Sequence, residues 1–217
     1  MIVGASQRMG GRFSPQAGRG RAKHMRLPDI EVSGRCPDIA MSGVDMNIHD
    51  PVFPSSQVAL AAGMTASNFR AHLARGNWRI IGNSQPADAF GKGHLFTIYD
   101  VLGFALANQL VTLGVDPKRA FELAMYDFAH AGTGPLPGQE SAREPAGLFD
   151  KARGYSMYVY CPGAERGRCI ATKDIQDAVE LLLAPQGGVA PAAIIVNLNH
   201  LRSRVFAALK LDPQEYE

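Results

Sequence analysis

Three glycines that each follow a short segment of apolar-periodic residues constrain the fold more than any other feature of this sequence. Gly63, Gly76 and Gly114 are expected to end helices, because only glycine enters the left-handed conformation at a helix C-terminus without strain. Thr65 follows the first of them closely, and threonine is one of the residues that cap helix N-termini. The sequence therefore predicts two short helices joined by a tight turn, each ended by glycine.

The segment after Gly76 predicts a β-hairpin wing. Residues 77–81 form an apolar, strand-like run, and a polar turn separates them from a second run at 94–97. Trp78, at the junction of helix and strand, is expected to lie in the core. The elements expected in this half are a helix capped by Ser55 or Ser56, a helix capped by Thr65, the two strands, a helix opened by Thr97 or Asp100, and a helix that starts at Asp116-Pro117 and runs to about Ala129.

Residues 131–150 are rich in glycine, proline and small polar residues, which is typical of a linker. Beyond it the pattern predicts strands at 155–161 and 168–172, a helix at 173–184, a strand at 193–198 and a helix at 199–211. The predicted fold class is α+β, with a winged helix-turn-helix at 51–130, mainly α with a β-hairpin wing. A small ββαβα domain at 151–217 is expected to serve dimerisation or ligand sensing.

Residues 1–50 contain many Gly, Arg, Ser and Pro and show neither helical nor alternating periodicity. Such a segment cannot bury enough apolar surface to offset its ordering entropy, so it is predicted to be a disordered basic tail. Two interpretations stay open: a basic arm that adds phosphate contacts, or an extension without function.

The turn at Gly63 has the features of a helix-turn-helix corner. Such a corner needs a small residue where its helices cross, and Ala59 meets that need. Phe69 and Leu73 are four residues apart, so they share one helix face and are expected to point inward. The opposite face carries small and hydrogen-bonding side chains between arginines. The residues expected to contact DNA are Thr65, Ser67, Asn68, Arg70, Ala71 and Arg75 on or beside the second helix, and Arg79, Lys92 and His94 on or near the wing.

Positive charge is concentrated on this module. The whole chain has a formal net charge of +2. Residues 54–99 carry Arg70, Arg75, Arg79 and Lys92 against only Asp88. This asymmetry favours an anionic partner such as DNA.

The order and spacing of these residues resemble the winged helix-turn-helix of the MerR family, over residues 54 to about 125. The resemblance is carried by Val58-Ala59, Gly63-Met64, Phe69-Arg70, the wing, the run Phe96 to Val101, and a helix that ends at Leu113-Gly114-Val115. It implies that Arg70 contacts a phosphate and that Tyr99-Asp100 begin the helix behind the wing.

The chain also departs from that family. No long heptad helix of the kind that MerR regulators use to dimerise follows Ala129. Cys161 and Cys169 lack His partners at zinc spacing, so no metal site and no cofactor are expected. His200 lies near Asn197 and Asn199, but no nucleophile, base and orienting group fall together, so the protein is not expected to be an enzyme.

The sequence therefore predicts a sequence-specific, double-stranded DNA-binding transcription regulator that reads the major groove with residues 65–75. A homodimer is expected, because two half-sites about 34 Å apart multiply the modest affinity of one small module. The alternatives are a phage-type packaging or recombination accessory DNA-binding protein, and a protein-interaction module that binds no nucleic acid. No apolar run approaches the roughly 20 residues of a membrane span, so a cytoplasmic, nucleoid-associated protein without a membrane partner is expected. A small-molecule effector stays open.

Overall fold

The computed structural model describes residues 49–81, 85, 93–132, 143–173 and 192–212. Within them it mixes helices with two small antiparallel sheets, which confirms the α+β class. The helices are α1 (Ser55–Ala61), α2 (Ala66–Ala74), α3 (Ile98–Thr112), α4 (Pro117–Ala124), a π-helix (Met125–Ala129), a 3-10 helix (Lys151–Arg153) and α5 (Leu198–Leu209). The strands are β1 (Phe53–Pro54), β2 (Leu95–Phe96), β3 (Tyr155–Tyr160), β4 (Arg168–Thr172) and β5 (Ile194–Asn197). Nearly all of the expected tail at 1–50 and of the expected helix at 173–184 lies outside the described residues.

Most helix starts agree with the predictions. Side chains cap α2, α3 and α4 through Thr65, Thr97 together with Asp100, and Asp116. The expected serine cap of α1 is wrong: its N-cap is Pro54, and no side chain bonds the helix start. Pro54 belongs to β1, so the chain passes directly from strand to helix. None of the described helices is long and apolar enough to cross a membrane.

The expected strand at 77–81 is wrong. The backbone N–H groups of Asn77 and Trp78 both donate to the His72 carbonyl, at 3.1 and 3.3 Å, so this segment folds back on the end of α2. Trp78 is 1% exposed, which confirms it as core, and Ile80 and Ile81 pack against the same core. The apolar run therefore reflects burial without strand pairing.

The second expected strand, β2, finds different partners. It pairs with β1, with Phe96 opposite Phe53. On its other side Leu95 exchanges two backbone hydrogen bonds with Gln85, at 2.9 and 3.0 Å. A long-range pairing with the residues before α1 thus replaces the predicted hairpin pairing of 77–81 with 94–97.

In the C-terminal half, β3 is the central strand of a sheet with the order β4-β3-β5, and both of its neighbours are antiparallel to it. Tyr158 and Tyr160 lie on the buried face of β3, while Tyr155 is 58% exposed. Helix α5 packs against β3, α1 and α3. All described residues belong to one compact unit, Asp45–Glu217, and a single hydrophobic core contains side chains from before and after residues 131–150.

Much of the described part of the expected linker packs against the rest of the protein, although Gly132, Glu144 and Asp150 are exposed. Arg143 is 1% exposed. Its guanidinium donates to the carbonyls of Phe128, Ala131 and Glu144, and it lies 5.4 Å from the centre of the Phe128 ring. A composition rich in glycine and proline indicated a loop, but it gave no sign of an arginine that ties this loop to the end of the π-helix.

Helix α3 packs closely on the π-helix at Gly103. A methyl group at Gly103 would lie 2.5 Å from Met125 Sδ and 2.8 Å from Ala129 Cβ. Gly103→Ala is therefore expected to destabilise the protein by about 1–3 kcal/mol through overpacking, measured as the free energy of unfolding in denaturant. Gly93→Ala is the matched control, because nothing lies within 4 Å of the added methyl. Equal stability of the two variants would contradict this packing.

Candidate nucleic-acid interface

The turn between α1 and α2 is held from both helices and from α3. Gly63 has φ +75°, the left-handed conformation predicted for it. The Met64 N–H donates to the Ala59 carbonyl at 3.0 Å. From α3, Asn108 Nδ2 donates to the Ala62 carbonyl at 2.9 Å, which satisfies an acceptor at the end of α1. The turn from which α2 starts is therefore held by hydrogen bonds with both α1 and α3.

The inner side of α2 is anchored by Phe69, which is 0% exposed. Its ring makes edge contacts with Trp78, Phe96 and Phe104, with centroid distances of 5.9, 5.7 and 4.9 Å. Edge-to-face geometry is the arrangement that aromatic quadrupoles prefer. Leu73 is half-buried against the same core. The inward orientation predicted for this pair agrees with their positions.

The outer side of α2 is open to solvent, except that Ala71 on the same face is half-buried. The sequence from Pro51 to Ile81 contains no acidic residue, so no carboxylate of that stretch offsets the arginines. The exposed residues are Ser67, Asn68, Arg70, Ala74 and Arg75, with Thr65 exposed at the cap. The surface combines hydrogen-bonding side chains with two guanidinium groups.

Two of these side chains are already engaged within the helix. Arg70 Nε donates to the Ala66 carbonyl at 3.1 Å, which orients the guanidinium and leaves its two terminal nitrogens for another acceptor. Thr65 Oγ1 accepts the Asn68 N–H at 3.1 Å, so its hydroxyl retains its donor. The hydrogen bond of Arg70 positions its positive charge, and the hydrogen bond of Thr65 caps the N-terminus of α2.

The residues expected on the wing are not all brought to this surface. Arg79 is exposed just beyond α2. His94 is half-buried, with its ring centre 6.2 Å from that of Phe96. Lys92 lies outside the described residues. Arg79 is therefore exposed five residues after the end of α2, and most of the segment between α2 and β2 lies outside the described residues.

His72 separates the exposed face of α2 from the core. Its ring stacks on Trp78 at 4.4 Å and 13°. Burial, followed by the charge of Arg75, lowers the pKa of His72. A neutral imidazole suits this position, because it packs on the indole without adding a desolvated charge.

Two residues at the turn are not predicted from the sequence. Asn108 lies in α3, and its side chain bonds the turn. Arg204 of α5 lies over the turn, with its guanidinium carbon 3.8 Å from where a Gly63 Cβ would stand. Both contacts join residues far apart in the chain, so no local pattern announces them.

A buried carboxylate, Asp127, joins the π-helix to the turn between β3 and β4. It accepts hydrogen bonds from the Gly167 N–H at 2.7 Å, from Tyr158 Oη at 3.4 Å and from the Arg166 guanidinium. Burial raises the pKa of the nearby Cys169 thiol to about 11, so it stays protonated at neutral pH. The described residues contain no group of three or more His, Cys, Asp or Glu side chains able to hold a metal ion. This hydrogen-bond network therefore has a structural role, because it joins the π-helix to the turn between β3 and β4.

Comparison with known proteins adds no family assignment. A scan against protein-family models finds no match for this chain, and a search of curated proteins finds none either. The resemblance to the MerR family therefore stays a prediction that depends on the residues that carry it.

Proposed function

We propose that this protein binds double-stranded DNA through a MerR-like winged helix-turn-helix and regulates transcription. The observation that carries the proposal is the outer face of α2, where Ser67, Asn68, Arg70 and Arg75 are exposed together. The opposite face of the helix is held in the core by Phe69. A helix fixed in this way presents a polar, cationic surface of the size that enters a major groove.

In the proposed complex the exposed residues divide into two roles. Asn68 and Ser67 lie near the helix start, where recognition helices contact base edges. Arg70, Arg75 and Arg79 contact phosphates, which positions the helix without reading sequence. We also propose that Lys92 and His94, from the segment between α2 and β2, contact the adjacent DNA backbone. Two copies binding two half-sites supply the affinity that one copy lacks.

Salt dependence tests the proposal directly. The phosphate contacts of Arg70, Arg75 and Arg79 contribute about −2.7 to the slope of log affinity against log salt in one copy, and a contact by Lys92 makes the slope steeper. Raising the salt fourfold should therefore weaken binding at least about 40-fold. The measurement is a fluorescence anisotropy titration of a labelled duplex at two salt concentrations. A protein-interaction module would give no saturable duplex binding at either concentration.

Replacing Asn68 by alanine tests the reading of bases. We expect the variant to lose about 1–3 kcal/mol of discrimination between a selected target and a scrambled duplex, because an amide that pairs with a base edge is gone. Affinity for the scrambled duplex should change little. In the variant the backbone N–H of residue 68 still donates to Thr65 Oγ1, so the N-terminus of α2 stays capped. Ser67→Ala is the companion variant, and unchanged discrimination in both would remove α2 from the role of reading helix.

A further inference from the structure

A groove lies between α3, β5 and α5, and one of its lining residues, Arg204, also lies over the turn between α1 and α2. Its volume is about 330 Å³, within the range of about 300–1,000 Å³ typical of small-ligand sites. Its walls combine Gln109 from α3 and Leu113 just after that helix, Ile195 from β5, and His200, Leu201 and Arg204 from α5.

The lining of the groove points to one class of ligand. Leu113 and Ile195 are 47% and 40% exposed, although large apolar side chains normally lie in the core. Arg204 supplies a fixed positive charge, and Gln109 and His200 supply hydrogen-bonding groups. No acidic residue lines the groove. An anion with a short apolar body matches both halves of this surface.

Arg204 also connects the groove to the turn between α1 and α2. Arg204 lines the groove, and its guanidinium lies over Gly63, 3.8 Å from the position of a Cβ. Gln109, on the groove wall, directly follows Asn108, whose side chain bonds the Ala62 carbonyl. A ligand that contacts Arg204 therefore contacts a side chain that itself lies over the turn. If it also contacts Gln109, it contacts the immediate neighbour of Asn108, the other side chain that touches the turn.

We propose that this groove binds a small organic carboxylate with an apolar body, and that its binding weakens DNA binding through Arg204. The carboxylate pairs with the guanidinium and places a negative charge next to the turn from which α2 starts. The second half of this inference rests on the proposed DNA-binding function. The first half, ligand binding, does not.

Octanoate is the probe for the first half, and octanamide is its uncharged control. In an NMR titration of the full chain, octanoate should shift the amide signals of Gln109, Leu113, Ile195 and His200. Arg204→Gln should weaken octanoate binding at least about tenfold and leave octanamide binding unchanged. Arg168→Gln, which removes an exposed arginine of β4, should leave both unchanged. Octanoate shifts spread over the whole chain, or equal binding by the Arg204 variant, would overturn the site.

A second copy of the chain is the competing occupant. Sedimentation of the wild type and of Ile195→Arg decides between them: conversion of a dimer to a monomer by this substitution would assign the groove to self-association and overturn the ligand site. If the Ile195→Arg variant keeps the oligomeric state of the wild type but loses octanoate binding, the result supports the ligand site.

The coupling is measured as duplex affinity with and without saturating octanoate, with acetate at equal concentration as the control for salt. We expect octanoate to weaken binding at least about fivefold in the wild type and not in Arg204→Gln. An unchanged affinity would overturn the coupling. If the chain binds octanoate but no duplex, the proposed function and the coupling fail while the ligand site stands. If it binds duplex but no octanoate, only this inference fails.

Discussion

Replacing Arg70 and Arg75 together by alanine is expected to weaken duplex binding about 100-fold. Each guanidinium is exposed on the outer face of α2, and each lost charge-assisted phosphate contact costs about 1.4 kcal/mol, a factor of ten. The slope of log affinity against log salt should become shallower by about 1.8 in one copy, because two phosphate contacts are lost. Anisotropy titrations of one labelled duplex at two salt concentrations give both quantities.

The control for this double variant removes the same charge elsewhere. Arg168 and Lys173 are both exposed on or beside β4, so Arg168→Ala with Lys173→Ala lowers the net charge equally. We expect this control to keep most of the affinity and the slope of the wild type. If the two double variants lose equal affinity, binding depends on net charge alone and the α2 face has no special role. Both pairs are exposed, so neither should change stability by more than about 0.5 kcal/mol.

Phe69→Ala is expected to cost about 3–5 kcal/mol of unfolding free energy. The ring is 0% exposed and contacts three other aromatic rings, so its removal leaves a cavity that rigid neighbours cannot fill. A loss of this size is a large part of the stability of an ordinary domain. Urea or guanidinium denaturation followed by fluorescence of Trp78, the single tryptophan, measures it.

Leu60→Ala is the matched control for this cavity. Leu60 lies on the neighbouring helix α1 but is 65% exposed, so its truncation should change stability by about 0.5 kcal/mol or less. A Phe69 variant as stable as the Leu60 variant would show that α2 is not anchored by its aromatic face. The outer face of α2 would then have no fixed orientation, and the proposed DNA contacts would lose their basis.

The features that could be predicted from sequence are those set by a few neighbouring residues. The start of α2 was predictable, because Thr65 bonds a backbone group three residues away and Gly63 needs only its own freedom at φ. The exposed face of α2 followed from helical spacing around Phe69 and Leu73. Its exposure agrees with that pattern, while its binding of DNA stays a proposal.

Features set by distant residues could not be predicted. The strand pairing of Phe96 with Phe53 joins segments separated by two helices, and nothing in either segment names the other. The same holds for Arg204 over Gly63 and for Asn108 on the Ala62 carbonyl. An apolar run such as 77–81 reports that it is buried, but the choice between strand and irregular chain depends on which neighbour is free to pair.

The shared core has a practical consequence for dissecting this protein. Leu201, Val205 and Phe206 of α5 are 0–2% exposed and belong to the same apolar cluster as Val58 of α1. Truncating the chain after residue 130 would remove α5 from its contacts with α1 and α3 and expose an apolar surface. Such a fragment should aggregate or melt early, so a truncated piece that fails to bind would say nothing about the surface of α2. Helix α5 supports the turn although it lies near the other end of the sequence. Substitutions near residue 205 should therefore also alter the packing and the function of α1 and α2.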